Sequence, residues 1–160
     1  MAKTNEFEIY TLISATNTAA TQSLDMTDYV DIADNEAFMV DEVDIVLDPT
    51  ASLPDTSEAI FQLADSNIQA FVSHSDRTSL YVQRKTYQGN GAGEFGMWHQ
   101  ESFSSLTPLI VSKTLFLRSE TNSQSGTTSS AYTLRLKGKI VKPSAKDYMA
   151  LVLTQTGNVA

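Results

Sequence analysis

Apolar and polar residues alternate along most of this chain, the period expected of half-buried strands. Phe7, Ile9, Thr11 and Ile13 form one face of a first strand, with Glu8, Tyr10, Leu12 and Ser14 on the other. Asn17 to Ser23, a run of small and hydroxyl residues, reads as a loop. A longer strand is expected over Ala37 to Leu47, with Met39, Val43, Ile45 and Leu47 on one face and Glu42 and Asp44 pointing away. Asp48-Pro49 stops it. Asp48 to Ser57 is a loop with two prolines, and Glu58 to Ala64 suits either a helical turn or a strand.

Ala70 to Ser73 and Ser79 to Tyr87 read as strands, the latter with Leu80 and Val82 inward and Tyr81, Gln83 and Lys85 outward. Gln88 to Glu94 is a turn, followed by a strand over Phe95 to Phe103. Pro108 to Val111 is a short strand. Lys113 to Ser119 sets Leu115 and Leu117 against Thr114, Phe116 and Arg118. Glu120 to Ser130 is too polar to offset its ordering entropy by burial and is expected as an exposed hairpin tip. Beyond it, Tyr132, Leu134, Leu136 and Ile140 line the core side of a strand, while Thr133, Arg135, Lys137 and Lys139 form a basic outer stripe. Pro143-Ser144 ends that strand, and Ser144 with Asp147 three residues on is capping-box-like, opening a short helix from Ala145 to Gln155 that Gly157 releases. Eight or nine short strands and one terminal helix predict an all-β protein: one antiparallel β-sandwich over residues 1–160 with a short C-terminal helix. Its length, and the lack of a Cys…Trp…Cys pattern, favour a single jelly roll over an immunoglobulin-like sandwich.

The chain of 160 residues and 17.5 kDa is long enough to bury about two thirds of its unfolded surface. It has no cysteine, which excludes disulfides, thiolate metal sites and thiol chemistry. The start lacks an apolar leader and the longest apolar run, Tyr148 to Leu153, is far short of a membrane span, so a soluble product made in the cytoplasm is expected. Charge is sorted by position. Met1 to Asp76 holds fifteen carboxylates and one base, Lys3, whereas Arg77 to Ala160 holds ten bases and four carboxylates, within a net charge of −8. Such sorting suggests acidic and basic surfaces that meet, within one molecule or between copies.

Candidate chemistry is sparse. Gly89-Asn90-Gly91-Ala92-Gly93-Glu94-Phe95-Gly96 has the glycines of a phosphate-cradling loop, but the strand-like Met97-Trp98-His99-Gln100 follows, with no helix N-terminus or lysine; a hairpin turn is expected. His74 and His99 are the only histidines, and no nucleophile, base and orienter can be assembled around either. Asp25, Asp28, Asp31, Asp34 and Glu36 form an acidic ladder of the oxygen ligands calcium prefers, without EF-hand spacing or its central glycine; a solvated edge, or a surface meeting a neighbour's bases, is the expected reading. The stripe Arg135, Lys137 and Lys139, with Lys142 and Lys146, interleaves with core-facing residues rather than exposed aromatics, which favours a subunit contact or solvated face over nucleic acid. Trp98 with Tyr81 or Tyr87 would form a sugar-stacking platform if exposed as a flat cluster. No catalytic residue, metal or cofactor is expected.

The strand Glu6-Phe7-Glu8-Ile9-Tyr10, the segment AFMVDEVDIVLDP from Ala37 to Pro49 and the ending YTLRLKGKIVKPSAKDYMALVL from Tyr132 to Leu153 resemble small virion structural proteins built on one jelly roll. The resemblance covers most of the chain in architecture and has no diagnostic motif. It implies a non-enzymatic protein of the virion that self-assembles into a capsid shell, or decorates one, as trimers or pentamers, alongside other capsid proteins. This chain departs from RNA-packaging capsid jelly rolls in lacking a basic N-terminal arm, which puts direct genome binding in doubt. The expected interface residues are Asp25, Asp28, Asp31, Asp34, Asp41, Glu42 and Asp44 on one side and Arg118, Arg135, Lys137, Lys139 and Lys142 on the other. The alternative from another class is a glycan-binding sandwich module; a cupin-like enzyme, which needs clustered histidines, ranks behind both.

Overall fold

A computed structural model describes residues 4–16, 18–48, 56–73, 76, 78–89, 95–103, 109–110, 112–123 and 129–156. The elements in order are β1 (Phe7–Thr16), β2 (Ala20–Asp25), a 3-10 turn (Ile32–Asp34), β3 (Ala37–Leu47), β4 (Thr56–Ala64), β5 (Ser79–Gly89), β6 (Phe95–Phe103), β7 (Leu109–Ile110), β8 (Thr114–Ser123), β9 (Ser129–Val141) and α1 (Ala145–Thr156). They build two antiparallel sheets, one ordered β1-β9-β3-β7 and the other β2-β8-β4-β5-β6.

Pairing explains the winding. β1 pairs with β9, β2 with β8, β3 with β7 and β4 with β5, so the chain first doubles back as one long ribbon. The ribbon then curls until β9 meets β3 and β8 meets β4. This is the jelly-roll arrangement, two Greek keys in two sheets; β6 is an addition on the edge of the five-stranded sheet, in a hairpin with β5 where the glycine-rich turn is expected.

Between the sheets lie Ile9 and Ile13 of β1, Ala59, Phe61 and Leu63 of β4, Leu115 and Leu117 of β8, and Tyr132, Leu134, Leu136 and Ile140 of β9, all buried. Phe61 meets Tyr132 edge-on across the layers, centroids 4.8 Å apart. Burying each large apolar side chain contributes about 1.5–3 kcal/mol.

Four expectations fail, each for a physical reason. Ala20–Asp25 is a strand, not a loop: its hydroxyl side chains lie at a sheet edge, where little apolar burial is needed. β3 has the expected bounds, but its register shifts between Val40 and Glu42, leaving Asp41 as an extra residue. The bulge changes the buried parity, so Phe38 and Val40 point inward before it, Val43 and Ile45 after it, and Met39 lies on the outer face. On β5 Leu80 is buried as expected, but a register shift against β4 beside it leaves Tyr81 and Gln83, expected outward, buried inward. Among the described residues β7 pairs with Phe38 and Met39, and further along β3 the Tyr81 hydroxyl reaches the Val43 carbonyl at 3.4 Å while Lys85 Nζ donates to the Ile45 carbonyl. Polar tips on β5 thus serve backbone carbonyls of β3 in the facing sheet, and an unserved buried carbonyl would be costly.

Ala70 to Ser73 is no strand. The connection 65–73 instead lies over the outer face of the five-stranded sheet: Gln62 donates to the Val72 carbonyl at 2.9 Å and accepts from its N–H at 2.9 Å, and Thr21 Oγ1 donates to the Ile68 carbonyl at 2.9 Å. The ambiguous segment at Glu58 to Ala64 is within strand β4, and the polar tip at Glu120 to Ser130 is shorter than expected, since β8 continues to Ser123 and β9 begins at Ser129.

The C-terminal helix forms as its cap requires. Ser144 Oγ accepts from the Asp147 N–H at 3.2 Å and donates to Asp147 Oδ2 at 2.6 Å. Tyr148, Leu151 and Val152, at helical spacing, pack with Ala37, Leu109 and Val141 on the outer face of the four-stranded sheet.

Candidate functional site

Strand pairing decides where the sorted charges go. β1 and β3 come from the acidic half of the sequence and β9 from the basic half, and β9 lies between them. On the outer face Glu8 stands opposite Lys137 and Lys137 opposite Glu42; Tyr10 stands opposite Arg135 and Arg135 opposite Asp44. Cross-strand neighbours of opposite sign attract, so a basic strand flanked by acidic ones is favourable.

Two pairs of expected acid-base partners meet within one chain, and a third expected base, Lys137, meets Glu6, which is not among the expected acids. Arg135 forms an ion pair with Asp44, Lys142 Nζ lies 2.6 Å from Asp34 Oδ1, and Lys137 Nζ lies 3.7 Å from Glu6 Oε2. The bond and charge of Asp44 hold the Arg135 guanidinium above its ordinary value. Glu8, Glu42, Asp44, Arg135 and Lys137 line a small polar recess of about 230 Å³ on this face. Partly exposed pairs of this kind contribute about 0–1 kcal/mol each, so they set register more than stability.

Other expected interface residues are spread over the fold. Arg118 lies under the 65–73 connection, donating to Thr21 Oγ1 at 3.0 Å with its guanidinium 5.5 Å from the centre of the Phe71 ring. Lys139 is opposite Met39, and Asp41 is the exposed extra residue of the bulge. In the acidic ladder, Asp25 accepts from the Thr27 N–H at 2.9 Å and hydroxyl at 2.7 Å, which lowers its pKa below the ordinary carboxylate value. Asp31 accepts from the Ala33 and Asp34 N–H groups at 3.0 and 3.3 Å, and buried Glu36 accepts from the Asp31 N–H at 3.1 Å. Asn35, at φ 58°, ends the 3-10 turn in the left-handed region asparagine tolerates. The acidic side chains thus organise a turn, with Asp28 exposed beside it. Among the described residues no three His, Asp or Glu come together to hold a metal ion.

The glycan platform loses one member, because Tyr81 is 1% exposed between the sheets. The backbone of Trp98 is in β6 opposite Thr86, and that of His99 opposite Lys85. His74 lies outside the described residues, as do the 90–94 turn and Gly157. Among the described residues no helix is long and apolar enough to cross a membrane.

Sequence reasoning did not single out two apolar surfaces. On β1, Tyr10 and Leu12 are 58% and 64% exposed, and Val46 of β3 is also exposed on this face, beyond Thr133 of β9. On α1, Met149 and Leu153 are 57% and 66% exposed. The signal was present: Leu12 falls on the polar side of β1's alternation, and Met149 and Leu153 lie four apart on the helix.

No protein-family model matches this chain, and comparison with curated proteins and with solved structures finds no match. The class it belongs to is therefore defined by its fold, an antiparallel β-sandwich with jelly-roll winding.

Proposed function

We propose that this chain is a non-enzymatic structural protein of a virus particle, made in the host cytoplasm, whose copies assemble as trimers or pentamers into a shell or onto one. The observation that carries the reading is the complete jelly-roll pairing around an interior filled by Phe38, Phe61, Ile45 and Tyr132. Jelly rolls serve chiefly as capsid building blocks, lectin domains and cupins. A cupin needs its interior for a metal and substrate, and here large side chains occupy that space. The lectin reading has a surface platform of Trp98 with Tyr81 or Tyr87, and of these Tyr81 is core.

The basic stripe gives little support to genome binding, since Lys137 already faces Glu8 and Glu42 and Arg135 faces Asp44, and phosphate would have to displace them. Exposed charges such as Asp28 and Asp41 would steer and register copies, with affinity supplied by apolar contact. Light scattering across protein and salt concentration, followed by electron microscopy of the concentrated protein, tests the proposal. Closed oligomers or shells are expected; a monomer under every condition would overturn it.

A further inference from the structure

The outer face of the four-stranded sheet is treated differently at its two ends. At the end marked by Ala37 and Val141, α1 covers it. At the other, Tyr10, Leu12 and Val46 are bare, and α1 itself leaves Met149 and Leu153 bare on its far side. A sheet face with apolar residues is stabilised by a second layer, and each molecule carries at one end of this face the kind of layer that its other end lacks.

The two surfaces match in order, within about 3 Å in position along their length. Along α1, Lys146, Met149 and Leu153 share a face, the second and third about 4.5 and 10.5 Å from the first at 1.5 Å per residue. Along β1, Glu8, Tyr10 and Leu12 share a face, the second and third about 6.8 and 13.6 Å from the first at 3.4 Å per residue. Both rows run charged, apolar, apolar, and the charges are opposite. The Tyr10 hydroxyl donates to Glu8 Oε2, which holds the tyrosine beside the carboxylate. Beside Met149 and Leu153 the helix surface continues through Ala150 into a largely apolar groove of about 540 Å³ lined by Met39, Leu109, Val141, Pro143, Asp147 and Leu151, which extends the area offered to a partner.

We infer that α1 of one copy lies along β1 of the next, Leu153 on Leu12, Met149 on Tyr10 and Lys146 towards Glu8, a head-to-tail contact that repeats around a ring. The inference rests on the proposed self-association and names its surface. Because the two halves of the contact differ, the interface is heterologous: the rotation it imposes closes a ring or generates an open filament. The occupant is a second copy of this chain because the complementary row is on this chain.

Leu12→Glu removes one half of the contact and Leu153→Glu the other, both at exposed positions, with circular dichroism to check folding. Light scattering of each variant alone should show monomer. Mixed in equal amounts they should form a heterodimer and nothing larger, since the intact helix of one fits the intact strand of the other. Tyr10→Glu and Met149→Glu replace either variant that does not fold. A monomeric wild type would overturn the self-association reading itself. An oligomeric wild type with both variants still oligomeric would overturn this contact and leave that reading standing. A Leu153→Glu variant that still dimerises while Leu12→Glu does not would point to a strand-to-strand contact and overturn the helix's role. Two monomers that do not combine would overturn the head-to-tail geometry.

Discussion

Gly138 is where one methyl group should matter most. It occupies an inward position of β9, paired with Phe7 of β1 and Val40 of β3 beside the bulge, under the ring of Phe38, which itself packs on Phe7 at 5.5 Å. A Cβ built there would lie 2.1 Å from the Met39 carbonyl oxygen and 2.8 Å from Phe38 Cζ, against an ordinary contact of 3.4 Å or more. The nearest atom is backbone in a central strand pair, so relief requires moving β3 from β9 by about 1.3 Å, not rotating a side chain. Gly138→Ala gains about 0.4–1 kcal/mol from a less flexible unfolded chain, whereas overpacking of a tight core costs about 1–3 kcal/mol and here falls at the upper end. The net expectation is a loss of about 2 kcal/mol, or roughly 4–8 °C in melting temperature for a domain of this size. Lys139→Ala, one residue on and facing outward, serves as the control, with a change within about 0.5 kcal/mol. Thermal melts of the three proteins decide it. A Gly138→Ala variant as stable as wild type, or more so, would refute the claim that β3 and β9 are pressed together at this point.

Gln62→Leu removes both bonds to Val72 and a third, at 3.0 Å, to Ser79 Oγ; a loss of about 1–3 kcal/mol is expected, with faster hydrogen exchange across 65–73, and unchanged exchange at the Val72 amide would show that the connection is held some other way. The Tyr148 hydroxyl is held above its ordinary value, first by burial and then by the Asp31 charge. A raised folded value favours the neutral phenol, so this contribution is fully present below the unfolded value of about 10 and is lost as pH climbs through the folded one. Melts of wild type and Tyr148→Phe in increasingly alkaline buffers should show wild type losing stability relative to the variant beyond that point; a constant difference would refute it.

Where a local pattern had one physical solution, it was readable. β1, β9 and the Ser144-capped helix follow from alternation, helical spacing and a capping pair, and the core side chains Ile9, Ile13, Leu134 and Leu136 lie where the period puts them. The failures are places where a distant partner decided the outcome. Nothing local marks Asp41 as an extra residue, because a bulge is a relation between β3 and β9. Tyr81 and Lys85 look like a solvent face until the packing of the two sheets brings carbonyls of β3 within their reach. Ala20–Asp25 lacks the apolar residues of a central strand because it is an edge, a fact about neighbours rather than composition. The charge pattern had the same limit: its sorting between the two halves of the sequence was visible, but not the identity of the strands lying side by side.

That limit bears on how copies would recognise each other. In a jelly roll the chain doubles back before it curls, so strands early in the sequence are placed against late ones. A sequence acidic in its first half and basic in its second is then neutralised strand by strand: Glu8, Lys137 and Glu42 make one row and Asp44 faces Arg135 in the next. Charge sorting along such a chain therefore favours the winding that lays β9 between β1 and β3, since any arrangement that set two acidic strands side by side would lose these rows. If the charged rows hold the register of one molecule, they have less left to offer a neighbour. Exposed residues without such a role on this sheet and helix include the apolar Tyr10, Leu12, Met149 and Leu153, and under the proposed contact recognition between copies would fall to them.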